Sequence, residues 1–389
     1  MRIENITEVR PGDVVARAIY DDLGQVLLNA GVVLTAKYIR ALEMKGYTLL
    51  YIKDAEEALD VVTDEDISPL CRARATMVLT EAFDRIGDTV NEIREVSKKD
   101  FKDAFASDAI RDLIGLHGPL AMIHKVVSQI LDEVLTRPRL AGLTSIRSVD
   151  GALYHHSIDV CVVSIMIGRT VGLSNTRLTQ LAAGCLLHDI GRIFIDPSAD
   201  EPRMIREHTK LGYDLLRNSP DPDILAPYVA LEHHERQDGT GLPRGLVGSN
   251  LIERKALPDA PVPTIVGEIA AIANAYDTLM TGSDKASVKT PDEAVKTIYE
   301  RAGSWYNKAL VDAFLHVVPV FPVGMEVTVT GAPYQNFTGI VTKIDQAHLD
   351  RPVVTLIFDA NGQRIRPETI DLVDEPKLRV RCGGRIRLK

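Results

Sequence analysis

The chain opens on short alternations of apolar and polar residues broken by turn signals: VVARAIY, then DDLG, then QVLL, then NAG. A period of two between turn residues predicts strands, so residues 1–62 read as a small β-rich N-terminal module. Within it Thr35 is placed to cap a helix through Ile39, Leu42 and Met44 that stops at Gly46, after which TLLYIK reads as another strand. Asp64 to Pro69, dominated by acidic residues and proline, reads as a linker. Then the period lengthens. Leu79, Phe83, Ile86, Val90 and Ile93 recur at alternating steps of four and three, the seam of a helix packed on its own chain or paired in a homodimer through residues 79–93. Helical patterning through Ile123, Val127, Ile130 and Leu135 runs on to the break at Pro138, making residues 63–144 a linker and helical region.

From Ser145 to about Val318 long helical segments alternate with the turns GLSNT, SPDPD and GTGLP. Beyond Phe321 the pattern returns to strands, EVTVTG, FTGIVTKID and PVVTLIFDANGQRI, with Asn361-Gly362 as a hairpin turn. The chain is therefore expected to be multidomain. An all-α domain at 145–318 is flanked by the β-rich module and by a small C-terminal β-barrel at 319–389.

Composition narrows the function classes. With 45% hydrophobic and 25% charged residues over 389 positions the chain can bury full cores and is not a disordered protein. A net charge of −9 excludes wrapping by DNA or RNA, which needs a surplus of Lys and Arg, and leaves room only for a local basic pocket. The start, MRIENITEVRPG, has no continuous apolar region, and the densest apolar run, Val160 to Gly168, is about half of what a bilayer requires. A cytoplasmic location with no membrane contact is expected. Cys71, Cys161, Cys185 and Cys382 form no CxxC pair, which argues against a disulfide framework or a zinc ribbon; Cys161 and Cys185 lie in apolar runs and read as core residues.

Histidine and aspartate concentrate in the helical domain. His156 shares a helix face with Val160, Val163 and Ile167, His208 lies between Ile205 and Leu211, and Asp277 shares a face with Ile269, Ala273 and Met280. A buried carboxylate such as Asp277 needs a donor, a cation or a metal. His188 and Asp189 end the apolar run LAAGCLL, and His233 and His234 follow Val229 and Leu231, so helix termini can present all four to one pocket. Several neutral imidazoles and two carboxylates make a nitrogen and oxygen site suited to Fe, Mn or Zn. Two such metals about 3.5–4 Å apart can generate hydroxide at neutral pH and clamp a phosphoryl group. Arg192 and Arg236, directly beside the HDIG and HHE stretches, could neutralise phosphate oxygens.

Five motifs in order, HHSIDV from His155, LLHDIGR from Leu186, HTKLGYDLL from His208, HHERQDGTGLP from His233 and IAAIANAYDTLM from Ile269, resemble the HD-GYP branch of the HD phosphohydrolases. The resemblance implies an all-helical, metal-dependent domain that cleaves cyclic di-GMP to pGpG or GMP. It also implies metal ligands at His156, His188, Asp189, His208, His233, His234 and Asp277. The family's third-metal glutamate falls at Ala152 here, which leaves two divalent ions, Fe or Mn, and makes His234 the ligand least tied to the pattern.

The substrate-facing shell departs from the family. Arg192 stands where lysine is usual, Leu242 replaces the tyrosine of GYP, and Gly282 to Ser287 replaces a basic RPY stretch. The connection from Asp189 to His208 is shorter than usual and that from Leu251 to Gly267 longer. Gly239 and Gly241 sit in the substrate-side loop, where a tight turn with positive φ favours glycine. The expected function is a cyclic di-GMP phosphodiesterase using a metal-bound hydroxide, with Arg192 and Arg236 as phosphate clamps. The alternatives are a degenerate module that binds a nucleotide or a signalling partner, and a hydrolase of another phosphoester such as a hybrid cyclic dinucleotide.

Overall fold

The computed structural model describes residues 2–21, 25–47, 49–53, 65–97, 100–115, 118, 121–140, 152–196, 200–219, 225–253, 261–282 and 288–382. Of the expected helical domain, 145–151 lie outside the described residues, as do 254–260 of the long connection and 283–287 of the segment replacing RPY.

The N-terminal module holds an antiparallel sheet in which β5 (Leu49–Lys53) lies between β1 (Arg2–Asn5) and β2 (Val14–Val15), with Ile3 opposite Tyr51 and Val15 opposite Ile52. A hairpin of β3 (Ile19–Tyr20) and β4 (Val26–Leu28) stands beside it. Helix α1 (Ala36–Met44) starts where Thr35 Oγ1 accepts from Tyr38 N and buries Ile39 and Leu42, whereas Met44 is exposed.

Helix α2 (Pro69–Ser97) is followed by α3 (Phe101–Phe105), α4 (Asp108–Ile114) and α5 (Ala121–Val134). The seam residues Leu79, Phe83, Ile86 and Val90 are 0–1% exposed within a single chain, in the same core as α5 and the helices beyond. Each contributes about 1.5–3 kcal/mol by that burial. Of the two readings of residues 79–93, these four seam side chains therefore follow the first, packing on their own chain. The segment expected to be a linker is anchored too. Ile67 is fully buried, and Ser68 donates from N and Oγ to Glu133 of α5 at 2.5 and 2.8 Å.

The remaining helices are α6 (Ala152–Thr170), α7 (Asn175–Leu187), α8 (Glu201–Leu216), α9 (Leu225–Glu232), α10 (Ile265–Thr281), α11 (Pro291–Glu300) and α12 (Lys308–Leu315). A short 3-10 turn, Ile190–Phe194, joins α7 towards α8. Helix α6 is the hub: it packs on α7, α10, α2, α5 and α12, and residues 155–168 are buried all round. A helix without a polar face has to sit inside the bundle. Cys161 and Cys185 are core residues, as their apolar runs predict. Among the described residues no helix is long and apolar enough to cross a membrane.

The C-terminal strands β6 (Glu326–Thr330), β7 (Thr338–Lys343), β8 (Val353–Phe358), β9 (Arg364–Asp371) and β10 (Arg379–Cys382) form one antiparallel sheet in the order β10-β6-β7-β8-β9. The Asn361-Gly362 turn joins β8 to β9, with Asp359 N donating to Gln363 O and Gly362 at φ +75°. Among the described residues this sheet does not close: β9 and β10 are its edges, where a barrel was expected. The reason is legible in β9, which carries Arg364, Arg366 and Glu368 outward and Pro367 without an N–H, all features of a protected edge. Tyr51 of β5 joins the apolar cluster of this sheet, while the rest of the N-terminal module packs around its own core of Val15, Ile39, Leu42 and Ile52.

Candidate metal centre

Five helical segments deliver the histidines and aspartates to one place. His156 comes from the first turns of α6, His188 and Asp189 from the end of α7, His208 from the middle of α8, His233 and His234 from just beyond α9, and Asp277 from α10. All are buried except His234, which is half-buried. Their ligand atoms fall into two triads, His156–His188–Asp189 and His208–His233–His234, each within 4.8 Å.

Asp189 stands between them. Its Oδ2 lies 3.6 Å from His188 Nε2 and 3.9 Å from His156 Nε2, while Oδ1 lies 3.3 Å from His208 Nε2 and 3.6 Å from His233 Nε2. One carboxylate therefore faces both triads, one oxygen to each.

The other ring nitrogens explain why the Nε2 atoms point inward. Nδ1 of His188 donates to Cys185 O at 2.7 Å, that of His208 to Met204 O at 2.8 Å and that of His233 to Val229 O at 3.1 Å. A carbonyl can only accept, so Nδ1 carries the proton and Nε2 is left with the lone pair in each neutral ring. His156 is held in the same way, but by a side chain: its Nδ1 meets Asp277 Oδ2 at 2.6 Å. Asp277, expected as a ligand, stands outside the two triads but is tied to the first through this contact with His156.

The donor set fits a divalent cation. His208 Nε2 and His233 Nε2 face each other at 3.2 Å, and His188 Nε2 and His234 Nε2 are buried without a hydrogen-bond partner. Facing lone pairs repel, and a buried acceptor without a donor is costly; coordination relieves both. Burial pushes the imidazoles of His188 and His234 well below their ordinary range and that of His208 down to about 3, so they stay neutral and ready to ligate at pH 7. Burial opposes the charge on Asp189, but Arg192 and His188 outweigh it and hold the carboxyl well below its usual value.

These shifts fix a pH dependence. In the unfolded chain the three histidines bind protons below about pH 6.5, whereas folded His208 does so only near 3, so stability falls as pH drops through that window. Asp189 acts in the same direction at the lower end, since its carboxylate is favoured by the fold. The metal-free protein is expected to unfold at a lower temperature at about pH 5 than at about pH 7.5. Thermal melts in chelator at both values check this, and an equal or higher midpoint in acid contradicts it.

Residues 126–310 match the sequence profile described as HD domain. The chain carries an HD domain. The chain is 26% identical over 255 residues to a cyclic di-GMP phosphodiesterase from Pseudomonas aeruginosa, covering 63% of this chain and 58% of that protein. It is 31% identical over 176 residues to a cyclic di-GMP phosphodiesterase from Thermotoga maritima, covering 43% of this chain and 45% of the relative. The chain thus spans about half the length of these relatives. Among solved structures, an HDG"Y"P protein from Bdellovibrio bacteriovorus matches with 17% identity and a TM-score of 0.39, over 80% of this chain and 97% of the other.

Around the HD domain's cage the remaining expected residues take distinct positions. Arg192 Nε lies 2.7 Å from Asp189 Oδ2, directly on the carboxylate between the triads. Arg236 lies over the indole of Trp305, its Cζ 3.5 Å from the ring centroid, with Nη1 donating to Thr240 Oγ1 at 3.4 Å. Gly239 has the expected positive φ, +77°. Gly241 does not, and is glycine for contact: a Cβ there would lie 2.3 Å from Arg236 N and 2.5 Å from Glu235 Cα.

Residues that patterning passed over hold this loop in place. Glu235 accepts from Arg244 N at 2.8 Å and Leu246 N at 2.9 Å, and Leu242 N closes the loop onto His234 O at 3.0 Å. Glu232 accepts from Thr264 N and Oγ1, both at 2.6 Å, and pairs with Arg244. The available signal was the two acids flanking His233 and His234 at the end of an apolar run. A buried carboxylate there must bond something.

Proposed function

We propose that this chain is a metal-dependent phosphodiesterase that hydrolyses cyclic di-GMP to pGpG or GMP, with N- and C-terminal modules at residues 1–62 and 319–389 flanking the catalytic region. One observation carries the reading: a single buried carboxylate, Asp189, presents one oxygen to each of two histidine triads. In this reading His156, His188 and Asp189 hold one divalent ion, and His208, His233, His234 and the same carboxylate hold the second, with Fe or Mn as the metals the donors suit. When bound, such a pair supplies Lewis-acid charge and makes water a nucleophile at neutral pH.

The protein's part is positioning. The Nδ1 bonds to helix carbonyls lock four rings without solvent reorganisation, counting the tie from His156 to Asp277. Arg192, partly exposed at the rim, can donate in charge-assisted hydrogen bonds to a phosphoryl oxygen and keeps the charge of the usual lysine with a planar fork. Leu242 offers no hydroxyl, which favours as second reading a related phosphoester such as a hybrid cyclic dinucleotide.

The test is hydrolysis by purified protein reconstituted anaerobically with Mn(II) or Fe(II), with products followed by chromatography across a nucleotide panel. Metal-dependent pGpG or GMP from cyclic di-GMP is the expected result. No product from folded, metal-loaded protein sinks the reading, and faster turnover of a hybrid dinucleotide moves it to the second substrate.

A further inference from the structure

The loop after His234 meets the turn between α11 and α12 through two backbone bonds, Gln237 N to Trp305 O at 3.1 Å and Asp238 N to Ser304 O at 2.8 Å. At this junction Arg236 Cζ lies 3.5 Å and Arg301 Cζ 3.7 Å from the ring of Trp305. Two guanidinium planes that close to one indole cannot share a face, so they sandwich it. Elsewhere around the site arginines are neutralised: Arg192 by Asp189, Arg244 by Glu232 and Arg72 by Asp159. Among the described residues neither Arg236 nor Arg301 forms an ion pair.

The turn that carries the stack is rigid. Arg301 O accepts from Ser304, Trp305 and Tyr306 N, Gly303 N donates to Tyr306 O at 2.7 Å, and Gly303 sits at φ +84°. Below it the buried Asn307 donates to Glu268 Oε2 at 2.8 Å and to Leu251 O at 3.2 Å, while Gln237 donates to Glu268 Oε1 at 2.7 Å. Both sides of the junction thus hang on one buried carboxylate. The stack is nevertheless accessible, since Arg236, Arg301 and Trp305 are all half-buried and Gly303 and Ser304 exposed. It is also close to the cage, because Arg236 follows His234 by two positions, which limits their Cα atoms to about 7 Å apart.

We propose that Arg301 and Trp305, with Arg236, form a cationic stacking platform that takes a purine base and its phosphate beside the metal cage. A guanidinium already stacked on an aromatic ring offers a flat outer face to a base and in-plane N–H groups to phosphate or to the base edge. The platform deepens the proposed hydrolysis and rests on it for its substrate class: it would be the element that selects a nucleotide over a simple phosphoester.

Trp305 is the only tryptophan in the chain, so tryptophan emission reports on this turn. The full chain loaded with Mn(II) is titrated with GMP and, as a base-free control, with ribose 5-phosphate. GMP is expected to change the emission saturably, with ribose 5-phosphate at least tenfold weaker. Arg301→Gln is expected to weaken GMP at least tenfold and to raise KM for cyclic di-GMP more than it lowers kcat, at unchanged metal content and thermal midpoint. Arg301→Lys keeps the charge and loses the plane, and is expected to match Arg301→Gln. No emission change with GMP, or full affinity in Arg301→Lys, overturns the platform. Binding of GMP without cleavage of cyclic di-GMP leaves the platform standing and removes the hydrolytic reading. Cleavage with KM unchanged in Arg301→Gln does the reverse.

Discussion

Replacing Asp189 by alanine is expected to lower hydrolysis of cyclic di-GMP by at least about three orders of magnitude, equivalent to about 4 kcal/mol in the barrier. The physical reason is that the carboxylate serves both triads: Oδ2 faces His156 and His188, and Oδ1 faces His208 and His233. Removing any one histidine takes a neutral donor from one triad. Removing Asp189 takes the anionic donor from both and leaves the positive charge of Arg192, whose Nε lies 2.7 Å from Oδ2, beside the place proposed for the cations. Metal content measured by elemental analysis is therefore expected to fall along with activity. The variant is also expected to lose stability, because the fold favours this carboxylate, so turnover and metal content are read on protein shown to be folded by circular dichroism. A variant that keeps both its metal and its turnover would refute the central role given to Asp189.

The second large effect lies in the backbone. Gly191, two residues beyond Asp189, packs so closely on α8 that a Cβ would stand 2.0 Å from His208 O and 2.8 Å from Gly212 N. Gly191→Ala must push the turn carrying Asp189 away from the helix carrying His208. Overpacking of this kind against backbone costs about 3 kcal/mol, which lowers the unfolding midpoint by about 6–12 °C. Metal affinity should fall as well, since the 3.3 Å approach of Asp189 to His208 depends on that contact. Gly212→Ala is the control from the same interface: its Cβ would meet Ala230 Cβ at 3.4 Å and no backbone atom nearer than 3.5 Å. Alanine also favours the helix there. Thermal melts of the two variants should differ clearly, and equal midpoints would show that the close approach is not the cause.

Much of the site was legible before any coordinates because histidine and aspartate are costly on the buried face of a helix. His156, His208 and Asp277 fall on apolar stripes, and all three are buried. Periodicity gives direction, but not distance. Asp277 points inward as its stripe requires, and its contact with His156 Nδ1 is set by how α10 crosses α6. Arg236 stands beside two histidines in sequence, and its side chain was drawn to an indole 69 positions later that no local pattern connects to it. Gly241 looked like a turn glycine and is a contact glycine, a distinction that needs the neighbouring backbone.

The sequence by itself determined the helical character of the central region, the two flanking β segments and the set of inward-facing histidines and aspartates, because hydrophobic period and the cost of buried charge act locally. Only the tertiary structure decided that the seam of α2 is covered within the chain, that the C-terminal sheet leaves β9 and β10 as edges, and that Asp189 stands between two triads. Each of these is a relation between segments far apart along the chain. Such relations are set by which faces can be buried together at once, and no single segment encodes its partner.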